Sequence, residues 1–144
     1  MRLTHYSDYA LRELIYLASL EEGKLASIKE IADAYNISKN HLMKITYELS
    51  QLGLVKTVRG RGGGICLNKH PREINVGKLI RITEDDFKLV ECMEDGASAC
   101  IISPVCGLKH VLNEALNAYL RVLDKYTLED LVKDPLSYRQ LLAH

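Results

Sequence analysis

The chain has 144 residues, enough for one globular unit or two small subdomains sharing a core. Hydrophobic residues make up 47%, with no tryptophan and one phenylalanine, so the core must be mostly aliphatic. The net charge of zero excludes a uniformly basic or acidic chain, and no apolar run approaches the roughly 20 residues of a membrane span.

The charge is unevenly spread. Residues 1–72 hold 11 basic and 7 acidic side chains, whereas residues 73–144 hold 8 and 12. The basic excess concentrates at 39–72, where seven cations face only Glu48. Such a block is the electrostatic footprint of a nucleic-acid surface, although a solvated basic face has the same composition. Arg2, Asp8, Arg12 and Glu13 interrupt any signal peptide, so the expectation is a cytoplasmic protein. Thiols stay reduced there, and clustered cysteines favour metal or redox chemistry over disulfides.

The first predicted element is a helix, with Leu3, Tyr6, Ala10, Leu14 and Leu17 at spacings of three and four. Asp8, Arg12 and Ser19 fall on another face. Ser27 and Glu30 form a capping box that opens a short helix through Tyr35. Asn36-Ile37 makes a turn, and Ser38 caps a second helix with core positions Leu42, Ile45, Leu49 and Leu52. This is a helix-turn-helix pattern. Two β-type segments, Leu54 to Arg59 and Ile65 to Lys69, flank a glycine-rich turn and predict a wing. Ile74 to Ile82 reads as a further helix, and residues 83–103 as irregular. Ser103-Pro104 then resembles an N-cap with proline at the first helical position, opening a long helix to about Tyr126. Leu108, Leu112, Ala115, Tyr119, Val122 and Tyr126 repeat as an a/d seam, suited to packing on a second copy. Thr127 caps a last short helix, broken at Asp134-Pro135 before an apolar tail.

The fold class expected is therefore mainly α with a small β-hairpin: a winged helix-turn-helix over 1–72, then a cluster-binding loop and long dimerisation helix over 73–144. Base edges in the major groove would meet Ser38, Lys39, Asn40, His41 and Lys44. Arg59 and Arg61 on the narrow wing suit the minor groove. The glycines there lack the G-K-[ST] ending of a P-loop and sit between strands, which argues against a nucleotide loop. No nucleophile–base pair or cofactor fingerprint points to an enzyme.

Cys92, Cys100 and Cys106 are spaced C-x7-C-x5-C, wider than the pairs typical of zinc sites. Three soft thiolates suit iron–sulfur or another thiophilic metal. Cys106, at the start of the long helix, would have its thiolate favoured by the helix dipole. Gly107 would let a bulky group approach the backbone. One ligand position stays open, with Asp8, His5, His110 and Cys66 as candidates. Asp8 also has an ordinary reading, a salt bridge to Arg12 four residues on.

Over nearly its whole length the chain resembles the NsrR-type nitric-oxide-sensing repressors, relatives of the cluster-binding regulator IscR. The resemblance rests on LTHYSDYALR, SKNHLMK, RGRGGGI, TEDDFKLVEC, CIISPVCGLKHVLNEALNAYL and VLDKYTLEDLV. It implies a homodimeric repressor of a roughly palindromic double-stranded operator. Each subunit would bind an iron–sulfur cluster, [4Fe–4S] ahead of [2Fe–2S], through Cys92, Cys100 and Cys106. It further implies Asp8 of the partner subunit as fourth ligand. Nitric oxide would be the signal, nitrosylation or loss of the cluster releasing DNA. IscR-like proteins place a histidine three residues after the last cysteine, where this chain has Lys109. That departure weakens both the IscR-like alternative and His110 as ligand. The gap between the first two cysteines is also longer than in many relatives. Two further alternatives are a zinc- or thiol-based DNA-binding regulator and a small redox enzyme or cluster-transfer scaffold.

Overall fold

A computed structural model describes residues 1–93 and 100–143; the part of the expected irregular stretch at 94–99 lies outside the described residues. The first helix, α1, runs His5–Ser19 and buries Ala10, Leu14 and Leu17 as its periodicity predicts. Ser19 departs from expectation: it is buried, its hydroxyl donating to the Tyr16 carbonyl at 2.7 Å. A serine satisfied within its own helix no longer needs water. Glu13 is also fully buried, which the apolar repeat gave no reason to anticipate.

Helix α2, Ile28–Tyr35, begins with the predicted capping box, Ser27 Oγ accepting from the Glu30 amide at 3.1 Å. Asn36 ends it in the left-handed region at φ 53°, a conformation asparagine adopts more readily than most residues. The chain then enters α3, Lys39–Gln51, whose Leu42, Ile45 and Leu49 are buried. Two expectations need correction here. Ser38 occupies the N-cap position, but its side chain makes no capping bond. Leu52 is exposed rather than core, because it follows the last helical residue and the chain turns away at Gly53.

The hairpin consists of β1, Val55–Val58, paired antiparallel with β2, Gly64–Leu67, in the register Val55 to Leu67. Both strands are shorter than predicted, and Arg59 lies in the turn. Gly60 and Gly62 take φ of 103° and 72°, which β-carbon sterics deny to most residues. Ile65 exchanges backbone hydrogen bonds with Ala26 at 2.8 and 3.1 Å, anchoring the wing to the segment before α2. Gly64 permits that approach, since a β-carbon there would lie 2.7 Å from the Ala26 carbonyl oxygen.

After a 3-10 turn at Pro71–Glu73 comes α4, Val76–Thr83, capped by Asn75. Ile82 on its outer face is exposed. The main core joins α1, α2, α3 and the hairpin, and also takes in Ile74, Leu79 and Leu128. A smaller cluster of Val76, Ile80 and Leu120 seats the next long helix.

That helix, α5, spans Gly107–Leu123. Ser103-Pro104 does not start it: Ser103–Val105 forms a separate 3-10 turn, and Cys106, with φ −73° and ψ 110°, breaks the path. The helix ends three residues before Tyr126, and its 17 residues extend about 26 Å. Its C-terminus is tied to α4 by Asn75 donating to the Asp124 carbonyl at 2.8 Å and by an Arg81–Asp124 ion pair. Thr127 caps α6, Leu128–Leu131, as predicted, and Asp130 completes a capping box that the sequence reading did not include. The presumed tail is instead α7, Pro135–Leu142, capped by Asp134 and packed against α1. Tyr138 secures it by donating to the Leu131 carbonyl at 2.9 Å. Leu136 and Leu141 stay exposed.

Candidate nucleic-acid interface and ligand set

The turn at Asn36 projects the first half of α3 away from the core. Burial of Leu42, Ile45 and Leu49 on one face leaves Ser38, Lys39, Asn40, His41 and Lys44 on the solvent side, all exposed. With no side chain capping the helix, its first amides and the Ser38 hydroxyl remain available to an anion. His41 is partly committed, its ring edge-on to Tyr9 of α1 at 5.4 Å between centroids.

Arg59 and Arg61 are exposed on the wing turn. Between α3 and β1 lies an open groove of about 570 Å³, bordered by Met43, Tyr47, Lys56, Thr57, Arg59 and Asn68. Sequence reasoning missed Tyr47, Thr57 and Asn68 as parts of this surface. Their neutral side chains carry no charge signal, and only the hairpin's placement beside α3 brings them together.

The cysteines lie elsewhere. Cys92 sits in a 3-10 turn at Glu91–Met93, Cys100 precedes Ser103–Val105, and Cys106 holds the N-cap position of α5. All three are half-buried. Among the described residues of this one chain, no three or more His, Cys, Asp or Glu side chains are grouped closely enough to hold a metal ion. Asp8, on α1, pairs with Arg12 through contacts of 2.9 and 3.0 Å while its side chain stays 38% exposed. Arg12 in turn lies 5.8 Å from the ring centroids of both Tyr9 and Tyr35. Of the other ligand candidates, His5 stands beside Tyr9, His110 is exposed on α5, and Cys66 faces Lys56 across the hairpin.

The donor chemistry fits a thiophilic cluster. Two half-buried thiols precede α5 and a third, Cys106, holds its N-cap position without making a side-chain capping bond. A β-carbon on Gly107 would meet nothing within 4 Å, so packing within the chain does not require glycine there. Open space beside Cys106 suits a bulky group.

Helix α5 is poorly covered. Leu120 is its one buried residue, while Leu108, Val111, Tyr119, Val122 and the following Tyr126 are exposed apolar side chains. Most of the predicted a/d seam thus lies on the open side, and Leu116, Leu120 and Leu123 hold the helix to its own domain. Among the described residues no helix is long and apolar enough to cross a membrane.

A helix-turn-helix followed by an arginine-bearing wing and a long carboxy-terminal helix defines a winged-helix regulator. The comparisons agree. The family model Rrf2, described as an iron-dependent transcriptional regulator, matches residues 3–134. The HTH-type transcriptional regulator NsrR of Bacillus subtilis is 61% identical, over 99% of this chain and 97% of that protein. That of Geobacillus kaustophilus is 51% identical over the same shares. Among solved structures, CymR, the global cysteine regulator of B. subtilis, superposes with a TM-score of 0.74 at 32% identity, covering 92% of this chain and 97% of that one. T. potens IscR gives 0.75 at 28% identity, covering 96% and 91%.

The chain belongs to the Rrf2 family and is an NsrR-type transcriptional regulator, not an enzyme.

Proposed function

We propose that the chain is a cytoplasmic, homodimeric, iron–sulfur-dependent repressor that releases its operator in response to nitric oxide. Residues 1–72 would read a roughly palindromic double-stranded operator, and residues 73–144 would hold the cluster and the dimer. The observation that carries the reading is a juxtaposition along one segment. Three half-buried thiols lead to the head of α5, and the same helix leaves its apolar seam uncovered. A second copy on that seam would cover it.

Cys92, Cys100 and Cys106 would hold the cluster, [4Fe–4S] ahead of [2Fe–2S], with Asp8 of the partner subunit as the oxygen ligand. When bound, such a cluster supplies iron with affinity for nitric oxide. A carboxylate is a hard ligand on a thiophilic centre, so Asp8 is the exchangeable one. Reaching the cluster requires Asp8 to loosen its hold on Arg12. Arg12 lies against Tyr9, and Tyr9 meets His41 of the recognition helix, so a change at Asp8 has a packed route to α3.

Two recognition helices must enter grooves about 34 Å apart, so a small rotation of α3 costs affinity. A hundredfold loss corresponds to about 2.7 kcal/mol of coupling, within the usual range for linked sites. The Ser38 to Lys44 face, Arg59 and Arg61 would supply the contacts. The test is an anaerobic absorption spectrum titrated with nitric oxide while DNA binding is followed. Visible absorption that changes together with DNA release is expected. Colourless protein holding stoichiometric zinc would overturn the cluster reading.

A further inference from the structure

Glu13 lies on α1 and faces α3. Its exposure is 0%, and one oxygen, Oε1, is buried with no hydrogen-bond partner among the described residues. The other, Oε2, is 3.0 Å from the Thr46 hydroxyl of the recognition helix. That same hydroxyl is 2.9 Å from the Leu42 carbonyl oxygen. A hydroxyl has one hydrogen to donate and can also accept. A carbonyl and a carboxylate can only accept, so an ionised Glu13 leaves one of the two short contacts without a proton. A protonated Glu13 closes the count, donating to Thr46 while Thr46 donates to Leu42. The unpartnered Oε1 is then a neutral carbonyl oxygen, far less costly to bury than half a carboxylate.

We infer that Glu13 is a positioning residue, held as the neutral acid where it ties α1 to the recognition helix, so that DNA binding is linked to retention of one proton. This rests on the DNA-binding reading above. Ionisation would place an uncompensated charge between the two helices, forcing water in or the helices apart. Burial pushes the Glu13 carboxyl up to about 7, the Thr46 hydrogen bond opposing it only in part. The titratable neighbour on α1 is Tyr6, its phenol driven up by burial and by Glu48 of α3. Lys39, Lys44 and Tyr47 of α3 are exposed to solvent, and other ionisable groups on packed elements have partners away from Glu13. His41 of α3 meets Tyr9, Tyr35 of α2 and Asp8 meet Arg12, and Glu84 after α4 bonds Thr4. Arg81 of α4 pairs with Asp124, Asp130 of α6 with Thr127, and Arg139 of α7 with Glu21. Cys66 of β2 lies opposite Lys56. Among the described residues no cation pairs with the Glu13 carboxyl group.

The test compares the full chain with Glu13→Gln, which keeps a donor toward Thr46 but cannot titrate, and with Glu13→Leu, which keeps neither. The probe is a duplex selected from a random-sequence pool by the wild-type chain at pH 6. Wild-type dissociation constants should rise with pH through about 7, by no more than tenfold per unit for one linked proton. The Glu13→Gln variant should bind as the wild type does at pH 6 and lose that rise. Glu13→Leu should also lose the rise. The carboxyl carbon resonance of Glu13, followed without DNA, should report the neutral acid at pH 6. A resonance ionised at pH 6, or a rise unchanged in Glu13→Gln, overturns the inference. Failure to select any duplex would overturn the DNA reading instead, while the resonance still reports on the proton.

Discussion

Gly77 offers a sharp test of how α5 is mounted. It is buried in the first turn of α4, and a β-carbon there would lie against the Asp124 carboxylate, 2.8 Å from the Asp124 amide nitrogen and 3.0 Å from Arg81 Nη1. Asp124 caps α5, and its carbonyl is held by Asn75, so the obstacle is backbone fixed on two sides. Restoring ordinary contact requires the end of α5 to withdraw by roughly half an ångström. Overpacking of this kind costs about 1–3 kcal/mol. Alanine's better helix propensity offsets at most about 1 kcal/mol. The Arg81–Asp124 pair is more than a third exposed on both sides, so solvent screens it and it adds little to the account. Gly77→Ala should therefore lower stability by about 1–2 kcal/mol in urea denaturation, with an unchanged slope. The loss should largely persist in an Asp124→Ala background, because the amide nitrogen remains. If Gly77→Ala is as stable as wild type, the close seating of α4 on α5 is wrong.

Gly107→Ala should behave oppositely: its β-carbon meets open space, so metal-free stability should hold or rise by up to about 1 kcal/mol, while iron bound per chain falls. Unchanged iron content would remove the reason given for a glycine there. Val122→Asp, at a residue 50% exposed, should leave helical circular dichroism intact and convert dimer to monomer in sedimentation; a retained dimer would place the interface elsewhere. Lys44→Ala and Arg61→Ala should each weaken DNA binding and reduce the magnitude of the log–log salt slope by about one, and an unaltered slope would remove that side chain from the phosphate contacts. For Glu13, the folded state holds a proton that the unfolded chain loses near 4.5, so its stabilising effect is complete below 4.5 and is lost as pH rises to about 7. Wild-type stability relative to Glu13→Gln should fall by about 3 kcal/mol across that window and level off above it, as read from denaturation midpoints; a constant difference would contradict the raised value.

The local elements were legible because local chemistry specifies them. Ser27 with Glu30, and Thr127 by itself, are residues that can satisfy helix amides from within four residues, and the structure contains both caps. Ser38 shows the limit of that reasoning, since the residue type suited a cap but the side chain does not reach an amide. Cys106 shows another: Ser103-Pro104 suits a helix start, yet the extended backbone at Cys106 delays α5 to Gly107. Tyr47, Thr57 and Asn68 were invisible because a neutral surface residue joins a binding face only through its neighbours.

What the sequence alone determined was the order of the main elements as far as α6, the basic helix-turn-helix with its arginine wing, and the family. Hydrophobic period, caps and glycine punctuation act over a few residues and survive without a fold. Only the tertiary structure decided which faces stay open. The α5 seam is exposed because Leu120 turns to Val76 and Ile80, and Glu13 is buried because α1 and α3 close over it beside Thr46. Burial is set by elements distant in sequence, and it is burial that turns an ordinary glutamate into a neutral acid.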